Sequence, residues 1–343
     1  MKIINFIIII FLFINISFAN TLLETNEYEL KFTSENLNLI KEKKINEIKI
    51  KSFKIIISRM LTNEDYKKIN TNNIKFVNKF ILNFTINDEK IINNNYYSKI
   101  KINFNQYSII DYFIKNKIKY VNYTPDKFLI IIKEQNELDS HLLSKENSFY
   151  KYLFNSKNKI FNQFFHLPNL DYNDRFLFSD YHFENDIFNN NELLNKKYKT
   201  NYQILIKSNK ENNFYVTSFY LYYNNKKYFI SELKGNYINY EIIFNKILSK
   251  SINKWKDINN IDTSIINTLE CKIKINNVKE LSYVRNLLQS NTMINNFQLK
   301  LIELNKNIYN ISYFGNLNIF KNSLEKNRLR LILDNDTCEI KLV

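Results

Sequence analysis

Hydrophobic and polar residues alternate most regularly between residues 96 and 104. One face of this segment is largely apolar, and the opposite face carries tyrosine, lysine and asparagine. The apolar face consists of Tyr96, Ser98, Ile100, Ile102 and Phe104. Strict alternation of this kind is typical of a β-strand with one buried face and one face in water.

A helix and a second strand are predicted directly after this segment. Asn105 occupies a position typical of a helix N-cap, and apolar residues then recur at helical spacing as far as Ile118. The run from residue 128 to 132 is uniformly apolar and follows a Pro-Asp turn, which is typical of a strand buried on both faces. The order strand, helix, strand predicts a small α/β sandwich.

The same patterns divide the rest of the chain. Residues 20–135 are predicted to form an N-terminal α/β domain, and residues 136–268 a linker and a middle α/β unit. Residues 269–343 show the order β-α-β-β-α-β of a ferredoxin-like module. The predicted fold class is therefore α+β, with two or three small α/β sandwich modules and mixed or antiparallel sheets.

Residues 1–19 have the pattern of a secretory signal peptide. They carry one early charge, an apolar centre, and small residues at Ser17 and Ala19, just before Asn20. The apolar centre is short for a membrane span of about 20 residues, so cleavage is favoured over the alternative, an uncleaved inner-membrane anchor. The mature chain is expected to be periplasmic or secreted.

Several of these segments resemble one known family. They are the strand at 96–104 (Tyr-Tyr-Ser-Lys-Ile-Lys-Ile-Asn-Phe), the strand at 128–132 (Phe-Leu-Ile-Ile-Ile), the segment 167–174 (Leu-Pro-Asn-Leu-Asp-Tyr-Asn-Asp) and the strand at 201–206. In order and pattern the chain is similar to the proteobacterial envelope family catalogued as domain of unknown function 2066. The resemblance spans most of the mature chain and includes no catalytic motif. It implies an exported protein of a Gram-negative envelope.

The composition changes the picture in two ways. The chain of 343 residues has a formal net charge of +15 and 15% aromatic residues, which invites a nucleic-acid hypothesis. However, the lysines are spread along the chain, and arginine, which makes most bidentate phosphate and base contacts, is scarce. We therefore expect no nucleic-acid partner, and instead another envelope protein or an anionic membrane surface. With only two glycines and two prolines, the turns must be built by Asn and Asp.

Common catalytic motifs are absent from the sequence. Gly235 and Gly315 are too far apart to form a phosphate-binding loop or a dinucleotide fingerprint. No Gly-x-Ser-x-Gly, His-Glu-x-x-His or Cys-x-x-Cys occurs. We therefore predict no cofactor and a non-enzymatic protein.

The segment 171–186 is the strongest candidate for metal chemistry. Its carboxylates and imidazole would suit a hard or borderline cation, either in a metal binder or in a metal-dependent hydrolase. The weak candidates for ligands are Asp171, Asp174, Asp180 and His182, with Glu184 and Asp186 close by. The alternative is a partly buried connector with its charges outward, because Phe176, Phe178, Tyr181 and Phe183 are interleaved with the charges.

Cys271 and Cys338 are the two cysteines of the chain. In an oxidising compartment a pair is naturally interpreted as a disulfide, and the first and last strands of a ferredoxin-like sheet are neighbours. The closed loop would contribute on the order of 4 kcal/mol in the chain-entropy model. The alternative is two separate buried thiols.

The leading hypothesis for function is a binding or scaffold protein of the envelope. Sheet edges and aromatic strand faces would dock a partner by strand addition. The aromatic residues concerned are Tyr215, Phe219, Tyr222, Tyr223 and Tyr228, for each of which a core position is the alternative. A lipid or small-ligand binder is a further alternative.

Overall fold

A computed structural model describes most of the chain in two compact units. The described residues are 22–137, 139–185, 188–212, 214–236, 239–274, 277–303, 306–334 and 337–343. One unit combines the residues up to 124 with those from 260 onward, and the other comprises residues 125–259. The predicted signal peptide at residues 1–19 lies outside the described residues.

The N-terminal part of the first unit is an antiparallel sheet with helices, in the strand order β1-β3-β2. Its elements are β1 Tyr28–Thr33, α1 Leu37–Met60, α2 Asn63–Tyr66, α3 Ile74–Val77, a 3-10 turn Asn78–Phe80, β2 Ile81–Ile92, β3 Asn95–Phe104 and α4 Gln106–Lys115. The predicted alternation in β3 is confirmed, since Tyr96, Ile100 and Ile102 are buried. The predicted N-cap of α4 is also confirmed, because Asn105 accepts from the Ser108 N–H at 3.2 Å.

Asparagine builds the tight turns, as the shortage of glycine predicts. The hairpin between β2 and β3 turns at Asn93 and Asn94, whose φ angles are 46° and 62°. Asn tolerates this left-handed conformation better than most residues with a side chain.

The unit of residues 125–259 is built on a mixed sheet in the order β5-β4-β7-β8-β9, with β6 pairing to β4. Strands β4 and β7 are parallel, and β7, β8 and β9 form an antiparallel meander. Its elements are β4 Phe128–Asn136, β5 Asp139–Leu142, α5 Ser148–Asn155, α6 Lys159–Phe164, β6 Phe165–His166, α7 Tyr172–Leu177, α8 Asp180–Glu184, α9 Phe188–Tyr198, β7 Gln203–Glu211, β8 Phe214–Tyr223, β9 Lys226–Gly235 and α10 Tyr240–Asn259.

The position of β4 differs from the sequence-based division. The apolar run is indeed a strand buried on both faces, but it belongs to the unit of residues 125–259 and not to the sandwich of residues 96–118. A strand that is apolar on both faces needs neighbouring strands and cover on both sides. Here β5, β6 and β7 supply the neighbouring strands.

The C-terminal part follows the predicted ferredoxin-like order and adds one strand. Its elements are β10 Ile266–Lys274, α11 Val278–Ser290, β11 Ile294–Glu303, β12 Lys306–Phe314, α12 Leu317–Lys326, β13 Leu329–Asp334 and β14 Thr337–Leu342. The strand order is β11-β12-β10-β14-β13. The last strand, β14, lies parallel to β10 and separates it from β13. The α+β fold class is confirmed.

The N- and C-terminal parts form a single unit, where the sequence predicts separate domains. Their buried side chains belong to one continuous core. The Tyr120 hydroxyl donates to the Thr292 carbonyl at 2.9 Å, and the Ile261 N–H donates to the Tyr120 carbonyl at 2.7 Å. These contacts join residues far apart in sequence, so they leave no local pattern in the chain.

Candidate functional site

Asp174, a candidate metal ligand, has a completely buried carboxylate. The Tyr198 hydroxyl donates to both of its oxygens at 2.7 Å. The Leu170 N–H donates to Oδ2 at 2.8 Å, and Lys197 Nζ donates to Oδ1 at 2.7 Å. These three donors satisfy the buried charge, and those from Lys197 and Tyr198 join α7 to α9.

Asp171 supports the same arrangement from the start of α7. Its carboxylate accepts from the Asp174 N–H at 2.8 Å as the N-cap, and from Lys197 Nζ at 3.0 Å. Burial lowers the pKa of Lys197, but the hydrogen bonds to Asp174 and Asp171 outweigh this effect, so the pKa stands above its usual value. Lys197 therefore remains a cation between the two carboxylates.

Asp180 and Glu184 belong to a second lysine-centred cluster. The Nζ atom of the buried Lys133 lies 2.8 Å from Asp180 Oδ1 and 3.0 Å from Glu184 Oε1. Lys207 Nζ lies 2.8 Å from Glu184 Oε2. The cluster joins α8 to strands β4 and β7.

His182 caps the start of its own helix. Its Nδ1 atom accepts from the Ser179 N–H at 3.0 Å, in a capping box with the Ser179 side chain. The imidazole therefore caps helix α8. The carboxylates of that helix, Asp180 and Glu184, are already paired with Lys133.

In the part of the chain that the structure describes, the acidic segment thus has a structural role. Its carboxylates form two clusters with lysines, which join helices α7 and α9 and attach helix α8 to strands β4 and β7. Within that described part, no group of three or more His, Cys, Asp or Glu side chains is placed to hold a metal ion. Asp186 lies outside the described residues. The expectation that the charges point outward is wrong for Asp174, because its carboxylate is buried while Phe176 and Tyr181 are exposed.

Cys271 and Cys338 form the predicted disulfide. They lie side by side on the parallel strands β10 and β14, with their Cα atoms 4.4 Å apart. Both are buried in the sheet. The added strand β14 is therefore what brings the second cysteine next to the first.

The aromatic strand faces of β8 and β9 are largely core. Phe219, Tyr222 and Tyr223 are buried, and Tyr223 stacks on Tyr202 with ring centroids 4.5 Å apart. Tyr215 and Tyr228 are partly buried beside lysines, at 5.5 Å from Lys210 Nζ and 5.6 Å from Lys254 Nζ respectively. Their rings do not form a single exposed face.

The edge strand β2 carries the exposed apolar row that the sequence did not single out. Cross-strand pairs place Phe84 opposite Ile102 and Ile91 opposite Tyr96, on the buried side of the sheet. Ile102 and Tyr96 are buried, yet Phe84 is 41% exposed and Ile91 is 59% exposed. The apolar row therefore continues beyond the part of the sheet that is covered.

A groove of about 500 Å³ runs between this row and helix α1. Its apolar surface includes Ile45, Ile74, Phe84 and Ile86. Residues 41, 42, 45, 46 and 49 of α1 recur at helical spacing along one wall. The groove is thus bounded by one helix and one strand edge.

Two lysines set the electrostatics of this groove. Lys41 pairs with Glu89, which also accepts from the Tyr96 hydroxyl at 2.8 Å. Lys49 Nζ lies 4.5 Å from the centroid of the Phe84 ring. Burial lowers the pKa of Lys49, and the nearby Glu42 opposes this effect. A carboxylate near Lys49 would offset the loss of hydration of its ammonium group.

The sequence contained only part of the signal for β2. Its pattern predicts a strand at residues 80–86 with a turn at 87–88 or 93–95. The structure continues the strand to Ile92 through an irregularity between Asn87 and Lys90, where Asp88 has a φ of 54°. That the strand lies at the edge of its sheet is a property of the tertiary structure.

No helix in the described ranges is long and apolar enough to cross a membrane. No protein-family model matches the chain, and no curated protein matches it. Among solved structures, the C-terminal domain of LpoB from Salmonella enterica is similar at 10% identity, over 33% of this chain and 82% of that domain's chain, with a TM-score of 0.21. This score supports no inference about function. The resemblance to domain of unknown function 2066 stays a prediction.

Proposed function

We propose that the chain is an exported, non-enzymatic binding or scaffold protein of a Gram-negative cell envelope, which binds a partner protein by strand addition at β2. The signal-peptide pattern of residues 1–19 and the family resemblance support export to the periplasm. The observation that carries the binding role is the exposed edge of β2.

An exposed strand edge offers backbone N–H and C=O groups to a further strand. Natural proteins guard such edges with short strands, charged side chains or bulges. Strand β2 is 12 residues long, and residues 81–87 include no charged side chain. One irregularity lies at the start of that stretch, between Ile81 and Asn83, and the other lies between Asn87 and Lys90, where the charges of β2 also stand, so residues 83–87 pair regularly. An added strand at 83–87 would cover Phe84 and Ile86 and form backbone hydrogen bonds.

The charge of the unit favours an acidic partner. Without residues 1–19, the unit that contains β2 has 29 Lys and Arg against 19 Asp and Glu, a net charge of +10. Residues 125–259 have 19 against 15, a net charge of +4. Charge of this sign accelerates the encounter with an acidic protein segment. An anionic membrane surface is the competing partner class.

Site-specific photo-cross-linking in intact cells tests the proposal. A photoreactive phenylalanine analogue replaces Ile91 in β2 or, as the matched control, Ile160 in α6, which is 54% exposed. We expect a discrete protein adduct from position 91 and none from position 160. A second variant, Phe84→Lys, places a guarding charge at the edge and should abolish the adduct.

Two results would contradict this proposal. One is that positions 91 and 160 give the same adducts. The other is that the adduct at position 91 consists of lipid, which would replace the protein partner with a membrane surface.

A further inference from the structure

The C-terminal sheet has its own uncovered edge, at β11. This strand lies at the end of the order β11-β12-β10-β14-β13. Cross-strand pairs place Leu299 opposite Tyr309 and Ile302 opposite Asn307. Tyr309 and Asn307 are buried, whereas Leu299 is 47% exposed and Ile302 is 69% exposed. The row of side chains on the buried side of the sheet therefore continues onto β11, where Leu299 and Ile302 are exposed.

A groove of about 410 Å³ lies between this row and helix α11. Leu288, Phe297, Leu299 and Tyr309 supply its apolar surface. Arg285 and Gln289, one helical turn apart on α11, line the same groove. A strand added beside β11 would present every second side chain to α11 and to this apolar surface.

Arg285 is the charged side chain of the groove. The other residues that line it are apolar or neutral and polar, so no carboxylate of the groove neutralises the guanidinium. Among the described residues, Arg285 takes part in no ion pair. A guanidinium fits a carboxylate in a planar, bidentate geometry. The site therefore complements an acidic group held above an apolar surface.

The irregularities of β11 limit what can pair with it. The register shifts between Ile294 and Asn296 and again between Leu299 and Leu301, which leaves residues 296–299 as a regular stretch. Bulges of this kind discourage extended edge-to-edge pairing between sheets. A short peptide needs only such a stretch.

We infer that the groove between α11 and β11 is a second binding site, which takes an extended peptide with a carboxylate side chain flanked by apolar side chains at alternate positions. The carboxylate pairs with Arg285, and the apolar side chains cover Phe297 and Leu299. This site is on a different sheet from β2, so it goes beyond the proposed function. Two peptide-binding edges on one unit would let the protein hold two partners.

Fluorescence anisotropy with the mature chain tests this inference. The probe is the capped peptide Thr-Val-Thr-Glu-Thr-Val-Thr, in which the glutamate and both valines share one face, and its comparison carries glutamine in place of glutamate. We expect the glutamate peptide to bind about fivefold more tightly than the glutamine peptide, as a partly exposed ion pair allows. Arg285→Gln should remove this preference, while Arg330→Gln, an exposed arginine on β13, should keep it.

A second variant separates the apolar contact from the charge. Leu299→Lys should weaken both peptides, because it places a charge on the apolar surface at the edge. The inference is overturned if the two peptides bind equally, if neither binds at millimolar concentration, or if Arg285→Gln keeps the preference. It is also overturned if sedimentation shows a dimer that Leu299→Lys makes monomeric, since a second copy would then occupy the edge.

Discussion

Lys197 Nζ lies 2.7 Å from Oδ1 of Asp174, whose side chain is completely buried. The Tyr198 hydroxyl and the Leu170 N–H complete the shell of donors around this carboxylate. Burial raises the pKa of Tyr198 to about 12 in spite of the hydrogen bond from the Asn169 N–H, which lowers it, and the hydrogen bond to Asp174 adds to the increase, so the phenol remains a donor at neutral pH. Asp174, which the sequence predicts as a candidate metal ligand, therefore joins helix α7 to helix α9 by buried hydrogen bonds and an ion pair.

Replacement of Asp174 should destabilise the unit of residues 125–259. Asp174→Asn removes the buried charge that pairs with Lys197, and breaking a buried pair in this way costs about 3 kcal/mol. The free energy of unfolding can be measured with urea from the fluorescence of Trp255, the one tryptophan of the chain, which lies in the same unit.

The control for this substitution is Asp171→Asn. Asn also serves well as an N-cap, and the pair with Lys197 is more exposed here, so we expect a clearly smaller loss of unfolding free energy than for Asp174→Asn. If both variants lost the same unfolding free energy, the burial of Asp174 would not determine how much this residue contributes to stability.

The stability of the other unit should depend on pH through Asp262. Hydrogen bonds from Lys119 and Ser264 lower the pKa of Asp262 to about 2, from 3.8 for an unperturbed group. A depressed pKa contributes stability that is fully present above about pH 4 and is lost as the pH falls toward 2. Carboxyl NMR titration should place the midpoint near 2, and a midpoint near 4 would contradict the pairing.

Asp262→Asn gives the thermodynamic counterpart of that titration. The difference in unfolding free energy between the unmodified chain and the variant should be constant above pH 4 and should shrink toward pH 2. Urea unfolding followed by circular dichroism at several pH values measures this difference. A difference that grows as the pH falls would have the wrong sign.

Reduction of the disulfide should destabilise the unit that contains it. Cys271 and Cys338 are separated by 67 residues, and a loop of that length contributes about 4 kcal/mol in the chain-entropy model. Urea unfolding with and without reductant measures the effect, and the double variant Cys271→Ala with Cys338→Ala should not respond to reductant. As a further check, the intact protein can be unfolded without reductant and treated with an alkylating agent. Reaction of both thiols with that agent would contradict the disulfide.

Gly315 has space for an added side chain, but its backbone conformation is unfavourable for residues other than glycine. Its φ is 77°, and the nearest heavy atom to an added Cβ, the Asp262 backbone nitrogen, would lie 3.5 Å away, an ordinary contact. Gly315→Ala should therefore cost about 1 kcal/mol, from the positive φ alone. Gly315→Asn should cost less, because Asn adopts this conformation more readily. Equal losses in thermal unfolding would point to a packing defect instead.

Local features of the fold could be predicted because each depends on nearby residues. The alternation in β3, the N-cap at Asn105 and the turns at asparagine follow from which face of a segment is buried and which side chains satisfy local backbone groups. The disulfide was also predictable, since the chain has two cysteines and the topology places the first and last strands together.

The candidate site was much less predictable. The carboxylates of the segment 171–186 suggest a cation, and the sequence did not show that Lys133, Lys197 and Lys207 would pair with them. The sequence around an acidic residue looks the same whether its carboxylate is exposed or is paired with a lysine that is distant along the chain. The exposure of Phe84 and Leu299 likewise follows from the end positions of β2 and β11 in their sheets.

By itself, the sequence determined the elements and the buried face of many of them, because both depend on the period of the hydrophobic pattern. The apolar run of β4 determined that this strand is buried on both faces. Only the tertiary structure decided that its parallel neighbour is β7, that the two ends of the chain share one core, and that β2 and β11 remain edges. The physical reason is that strand pairing joins backbone groups, which are the same in nearly every residue.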